Sequence, residues 1–440
     1  MFHIPPNKPS GEGKRPELHD ASELEERLWK IVYIIFCLAL LTLTAYQFLV
    51  LLQDPKTVWD YHVFAGAVQA LDHGQNPYIP ANINQYVGKY TGGVLPFTYP
   101  PHTLYFFWLL DLFLVFHSLA IYYGVLVVLL LISGYLIVTL DQRPQYLFFT
   151  TLLLTGFMAA YANFVTGNKD ILFLLLFALV FVLLVHERYW QSSILIGLAA
   201  AVSLIMTPFA ALILAVRRPI PQRLAWMFLS AGVVAVLFAV SYCINPAYFN
   251  SYIGTVTGQS TSPMYDRGGS TTPTPYLLFW DLLNGVNLGG MLPVAIVSFV
   301  YVVLILYATW NYGKKNREDT LKLYSLVMLA IFMMLPRIKP YDFIVLVVPL
   351  YYLFKDCSYK MKSLVLVVIS LVPYYFSVFS PAHSIHRDLP LFLWPFAQAY
   401  NLLEPYALTY SLILIFLVVI LHDRLTLADC QGEPRMPEKS

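Results

Sequence analysis

An aspartate stands alone in the stretch Thr57-Val58-Trp59-Asp60-Tyr61-His62, just past the end of the first long apolar segment. A carboxylate at the boundary between water and lipid can take a proton from an alcohol that reaches it through the membrane. Much later, Arg337 and Lys339 share the short turn Arg337-Ile338-Lys339-Pro340-Tyr341-Asp342 between two apolar runs. Two cations there fit an anionic lipid headgroup, whose phosphate they would hold. Snorkelling, or pairing of Arg337 with Asp342, would account for them equally. Lys169 and Asp170, after Gly167-Asn168, make a second charged pair at an apolar edge, of the kind that more often serves as a structural ion pair.

Other chemistries lack their residues. The chain has no Asp-x-Asp pair and no Gly-rich phosphate loop, which disfavours a nucleotide-sugar donor. His383 and His386 are close in sequence but lack a third ligand, so no metal is expected. Cys37, Cys243, Cys357 and Cys430 show no paired spacing, so neither a disulfide framework nor a metal site is indicated. A net charge of +2 offers no basic patch for nucleic acid.

The elements that must position Asp60 belong to a membrane. Of the 440 residues, 58% are hydrophobic and 12% charged, against roughly 25% charged in soluble domains. Apolar runs begin at Leu28–Leu52 and recur to Tyr406–Leu421, about a dozen in all. The expected class is an all-α polytopic membrane protein of about 10–13 transmembrane helices, with residues 28–421 as one domain between tails at 1–27 and 422–440. The ends at Pro5–Arg15 and Gly432–Ser440 read as disordered, and no cleavable signal is visible. Basic loops at Arg217–Arg223, Lys314–Arg317 and Lys355–Lys362 are expected in the cytoplasm with both termini, in a plasma or inner membrane. Outer loops then fall at 53–100, 243–290 and 380–405. Asp266 and Arg267, in a Gly/Ser/Thr/Pro-rich part of the second, read as a mobile loop. Parity fails between Leu140 and Arg217 unless Tyr146–Tyr161 and Ser193–Val216 are re-entrant or broken, as Pro208 suggests for the latter.

Within the first loop, Val58 to Asp72 predicts an interfacial helix with an apolar stripe of Trp59, Val63, Phe64, Ala67, Val68 and Leu71. Gly74 ends it and Pro77 blocks continuation. Asp60 falls in the apolar sector, while His62, Gln69 and Asp72 fall on the polar side. A carboxylate in that sector needs a partner. Thr57-x-x-Asp60 also fits a capping box, so a capping role stands beside the catalytic one. The remainder, with Asn76, Tyr78, Tyr86, Tyr90, Gly92-Gly93 and Tyr99, suits sugar binding or an ordinary interfacial loop.

Taken together, Asp60-Tyr61-x-x-Phe64, Gly74-Gln75-Asn76-Pro77-Tyr78 and Phe97-Thr98-Tyr99-Pro100-Pro101 resemble the first outer loop of glycosyltransferase family 87. Gly167-Asn168 resembles that family's Gly-Gln element, and Pro336–Asp342 its late outer turn. The chain departs from the family at Asn168, at Met206-Thr207 where a Lys is frequent, and at Asp342 where some members place a His. The resemblance implies a GT-C-like bundle with a long first outer loop and transfer of a hexose, foremost mannose, from a polyprenyl-phosphate sugar. The acceptor would be a lipid-linked molecule or glycan on the outer face, and the anomeric carbon would invert without a cofactor. It carries the general base over to Asp60; beside it, substrate contacts are expected at Tyr61, His62, Asn76, Tyr78, Tyr99, Asn168 and Lys169, and donor-phosphate contacts at Arg337, Lys339, Tyr341 and Asp342. Two other classes remain open on the residues: a transporter or flippase of a lipid-linked sugar, and a non-catalytic partner in envelope-polysaccharide assembly. No repeated segment points to the inverted halves of a transporter.

Overall fold

A computed structural model describes residues 17–53, 58–87, 97–257, 273–315, 319–373 and 406–431. Asp266, Arg267, His383, His386, Thr57 and the 380–405 loop lie outside them. The regular elements among the described residues are all helices, with no strand. An apolar chain in lipid has to satisfy its own backbone, and a helix does so within each segment.

The helices are α1 (Glu17–Gln53), α2 (Trp59–Asp72), α3 (Pro80–Val87), α4 (Pro101–Asp111), α5 (Leu119–Thr139), α6 (Tyr146–Thr155), α7 (Ala159–Thr166), α8 (Ile171–Val185) and α9 (Tyr189–Val202). There follow α10 (Ile220–Ile244), α11 (Pro246–Val256), α12 (Pro275–Gly285), α13 (Met291–Lys315), α14 (Thr320–Met333), α15 (Val347–Phe354), α16 (Tyr359–Leu366) and α17 (Ala407–Gln431). Five stretches are long and apolar enough to cross a membrane: Glu23–Gln53, Leu119–Thr139, Tyr146–Thr166, Ile220–Ile244 and Met291–Lys314. The chain is an all-α polytopic membrane protein. In α10 and α13 only 11% and 6% of the apolar window is buried, so Phe228, Val236, Phe299, Leu304 and Tyr307 form an apolar exterior suited to acyl chains. The protein core lies instead around α8, α14 and above all residues 342–354, where every side chain is buried.

The awkward region between Leu140 and Arg217 is broken twice. Phe157 and Met158 take left-handed backbone angles (φ 52° and 53°) and split one span into α6 and α7. Phe157 packs on Phe343, ring centroids 4.8 Å apart, so the break lies within protein rather than lipid, as irregular backbone at membrane depth requires. The Ser193–Val216 run divides at Ser203 into the end of α9 and a 3-10 segment, Leu204–Ala215, containing Pro208. Another 3-10 segment, Pro340–Leu346, starts the element that α15 continues.

The first outer segment is folded onto the bundle. In α2, Tyr61, Val63 to Val68 and Ala70 are buried on nearly all sides, against α3 and α4 as well as the bundle. The expected stripe is therefore too narrow, and Trp59, one of its members, is exposed. Loop residues cover the face that a bare interfacial helix would give to lipid. His102, at the start of α4, locks this cap down: its ring nitrogens meet Ser241 Oγ and the Ala201 carbonyl, each at 2.8 Å.

Candidate active site

Asp60 occupies the first turn of α2, whose N-cap is Val58. Val58 makes no side-chain cap bond, and the other half of the expected capping box, Thr57, lies outside the described residues. The carboxylate turns to the α7–α8 corner, where Asn168 Nδ2 donates to Asp60 Oδ2 at 2.7 Å.

Two local features produce that contact. Gly167 ends α7 at φ +67°, a left-handed conformation that costs other residues free energy. It also lies under α2: a Cβ there would stand 2.6 Å from Tyr61 Cβ and 3.1 Å from Val58 Cγ1. The corner and the start of α2 thus touch backbone to backbone, and the side chain of Asn168 is long enough to span the gap. The amide is oriented as well. Asn168 Oδ1 accepts from the Asp170 backbone N–H at 3.1 Å, which leaves Nδ2 as the end facing Asp60. Tyr122 Oη donates to the Gly167 carbonyl at 2.8 Å and fixes the corner from beneath.

Lys169 and Asp170 are buried and joined by a 2.9 Å ion pair. The Lys169 ammonium lies 4.2 Å from the Tyr99 ring centroid and 4.8 Å from that of Phe173. Asp170 Oδ2 meets no ordinary donor, and the Asp342 carboxyl lies beside it. Burial and the neighbouring Asp170 carboxyl raise the pKa of Asp342 well above the ordinary carboxylate range. Asp342 Oδ2 also accepts from the Lys339 backbone N–H at 2.6 Å, closing the late turn. Asn163 Nδ2 donates to the Tyr341 carbonyl at 3.0 Å and stitches the same turn to α7.

Four elements distant in sequence therefore converge on one place: Asp60, Tyr99, Asn168 to Asp170, and Lys339 to Asp342. Asp60 is half-buried. Burial raises its pKa to about 6, and the Asn168 hydrogen bond and the charges of Lys169 and Lys339 hold it from going higher. A carboxylate with this affinity can accept a proton near neutrality and still be ionised beforehand.

The other expected site residues have structural places. Tyr61 packs on Phe116 and Tyr122 and donates to the Phe116 carbonyl at 3.1 Å. His62 lies edge-on to Tyr61. Asn76 bridges Ser251 Oγ and the Tyr78 backbone N–H, and Tyr78 Oη donates to the Tyr99 carbonyl at 2.8 Å in full burial. Asn76 and Tyr78 thus build the wall that carries Tyr99. Arg337 is exposed at the rim of the turn. Sequence reading left Tyr122, Asn163 and Asp170 without a part in the site. Two adjacent tyrosines, Tyr122 and Tyr123, inside an apolar span are the signal for the first, because a hydroxyl in hydrocarbon needs a partner. Among the described residues no group of three His, Cys, Asp or Glu side chains is arranged to hold a metal.

The model of glycosyltransferase family 87 matches residues 97–336, more than half the chain. It includes Tyr99 and the Asn168–Asp170 corner, with Asp60 before the matched stretch and the Arg337–Asp342 turn just after it. No curated protein and no solved structure matches.

Proposed function

The chain belongs to glycosyltransferase family 87, and from that premise we propose a specific reaction for the convergent site. The protein transfers a hexose, mannose in the first instance, from a polyprenyl-phosphate sugar to a lipid-linked or glycan acceptor on the outer face of the membrane. Asp60 takes the proton of the acceptor hydroxyl as its oxygen attacks the anomeric carbon. The bond from that carbon to the phosphate oxygen breaks, and the polyprenyl phosphate leaves with its electron pair. Lys339 is near enough to stabilise the departing phosphate, with Arg337 at the rim and Tyr341 beside it. One base with no second carboxylate placed as nucleophile suits a single displacement, hence inversion. No cofactor is called on.

The observation that carries this reading is the Asn168–Asp60 hydrogen bond at a half-buried corner shared with Lys169 and Lys339. A half-buried carboxylate aimed by an amide and flanked by cations is arranged for proton transfer beside an anion. Purified protein incubated with polyprenyl-phosphate mannose, its glucose analogue and a membrane extract should yield a new hexosylated lipid or glycan by mass analysis. The Asp60→Asn variant should yield none. Vesicle transport of the donor with no new covalent product would replace this reading with that of a flippase.

A further inference from the structure

We propose that the end of the bundle opposite Asp60 holds the phosphate of an anionic lipid headgroup, in a notch formed by Lys30 of α1 and Lys360 and Lys362 of α16. The proposal is independent of the reaction above.

The location follows from α1. Its C-terminal end, Gln53, lies just before α2, whereas Lys30 is about 34 Å away along the same helix at about 1.5 Å per residue. That distance matches a hydrocarbon core of about 30 Å, so the notch opens at the other membrane surface.

The notch is assembled around one ring. Lys362 Nζ lies 5.5 Å and Lys30 Nζ 6.0 Å from the Tyr359 centroid. Tyr359 itself packs on Tyr33 of α1 at 5.4 Å, which fixes the two helices together. Lys360 Nζ lies 5.5 Å from the Trp29 ring. Aromatic faces hold ammonium groups in place without neutralising them.

Asp141 and Asp356, the acids nearest this end of α15 and α16, both turn to Lys355, at 2.8 and 3.7 Å. Arg27 is occupied by Glu23 at 2.7 Å. Among the described residues no carboxylate reaches Lys30, Lys360 or Lys362. Lys362 is only 4% exposed, and its nearest polar partner is the neutral Gln145 Oε1 at 3.5 Å. Burial by itself favours the neutral amine of Lys362, and an anion beside it would hold the ammonium form. At a membrane surface the abundant anion is a lipid phosphate, and basic pockets between spanning helices take such headgroups. Trp29, Tyr33 and Tyr359 are also the residue types that settle at headgroup depth.

The test uses the full chain in mild detergent, incubated with phosphatidylglycerol, with phosphatidylcholine, or with soluble glycerol phosphate, and bound lipid is counted by native mass spectrometry. The wild type should retain phosphatidylglycerol over phosphatidylcholine and ignore glycerol phosphate. Lys30→Gln combined with Lys360→Gln, both exposed and so no threat to folding, should reduce that retention about tenfold. Lys314→Gln with Lys322→Gln, an equal loss of charge elsewhere, should leave it unchanged. Lys362→Gln should show the same loss as the notch pair. Equal retention by the notch and control variants would overturn the site, and comparable binding of glycerol phosphate would overturn the lipid assignment.

Discussion

Replacing Asp60 with Asn should make the protein more stable and inactive at once. In the native state Asp60 binds its proton with a pKa raised from the ordinary 3.8 to about 6. The folded protein therefore holds this proton more tightly than the unfolded chain does, and stability falls as pH rises from about 4 to about 6. Each tenfold step in proton affinity is worth about 1.4 kcal/mol, so full burial would set the cost of the ionised form near 3 kcal/mol at pH 7.5. Water reaches part of this half-buried group, which screens the cost to about 1–2 kcal/mol. Asn has the same shape, carries no charge, and its carbonyl can still accept from Asn168 Nδ2. Thermal unfolding in lipid nanodiscs should show the variant above the wild type at pH 7.5, with the margin about halved at pH 5, midway between the unfolded and folded pKa values. Sugar transfer, measured on the same samples, should be lost at both. A variant that is less stable at both pH values would refute the strained-carboxylate argument, and retained transfer would refute the base.

Three further outcomes follow from the same corner. Asn168→Ala removes a donor that favours the ionised carboxylate, so the acid limb of the pH–rate profile should move upward from about 6, and Asn168→Gln should bring part of it back; an unmoved limb would deny Asn168 its positioning role. Gly167→Ala forces both a left-handed Ala and a Cβ against Tyr61, and should lower stability by about 2–4 kcal/mol in chemical or thermal unfolding, with transfer falling in step. Lys169→Met strands the buried Asp170 carboxylate and should cost about 3–5 kcal/mol. Adding Asp170→Asn should recover most of that, and a double variant no better than Lys169→Met would show that the pair is not coupled.

The depletion of charge and the length of the apolar runs were enough to determine an all-α membrane protein, because lipid leaves a spanning backbone few alternatives. Asp60 was conspicuous for a similar reason: a lone acid in an apolar helical sector is costly unless something meets it. The sequence also marked the weak points at Tyr146–Tyr161 and Pro208, through a count of membrane crossings that did not close. It could not say what meets Asp60. Asn168 lies 108 positions away, and the contact exists because a left-handed Gly167 lets one backbone rest on another, a matter of tertiary geometry. The same limit applies to Asp342, expected as a phosphate contact and found with its carboxylate accepting from the Lys339 backbone N–H in its own turn. It applies also to Asn76 and Tyr78, whose polar groups are spent on the wall behind Tyr99. Local sequence sets which groups need partners, and only the packed chain decides which partner arrives first.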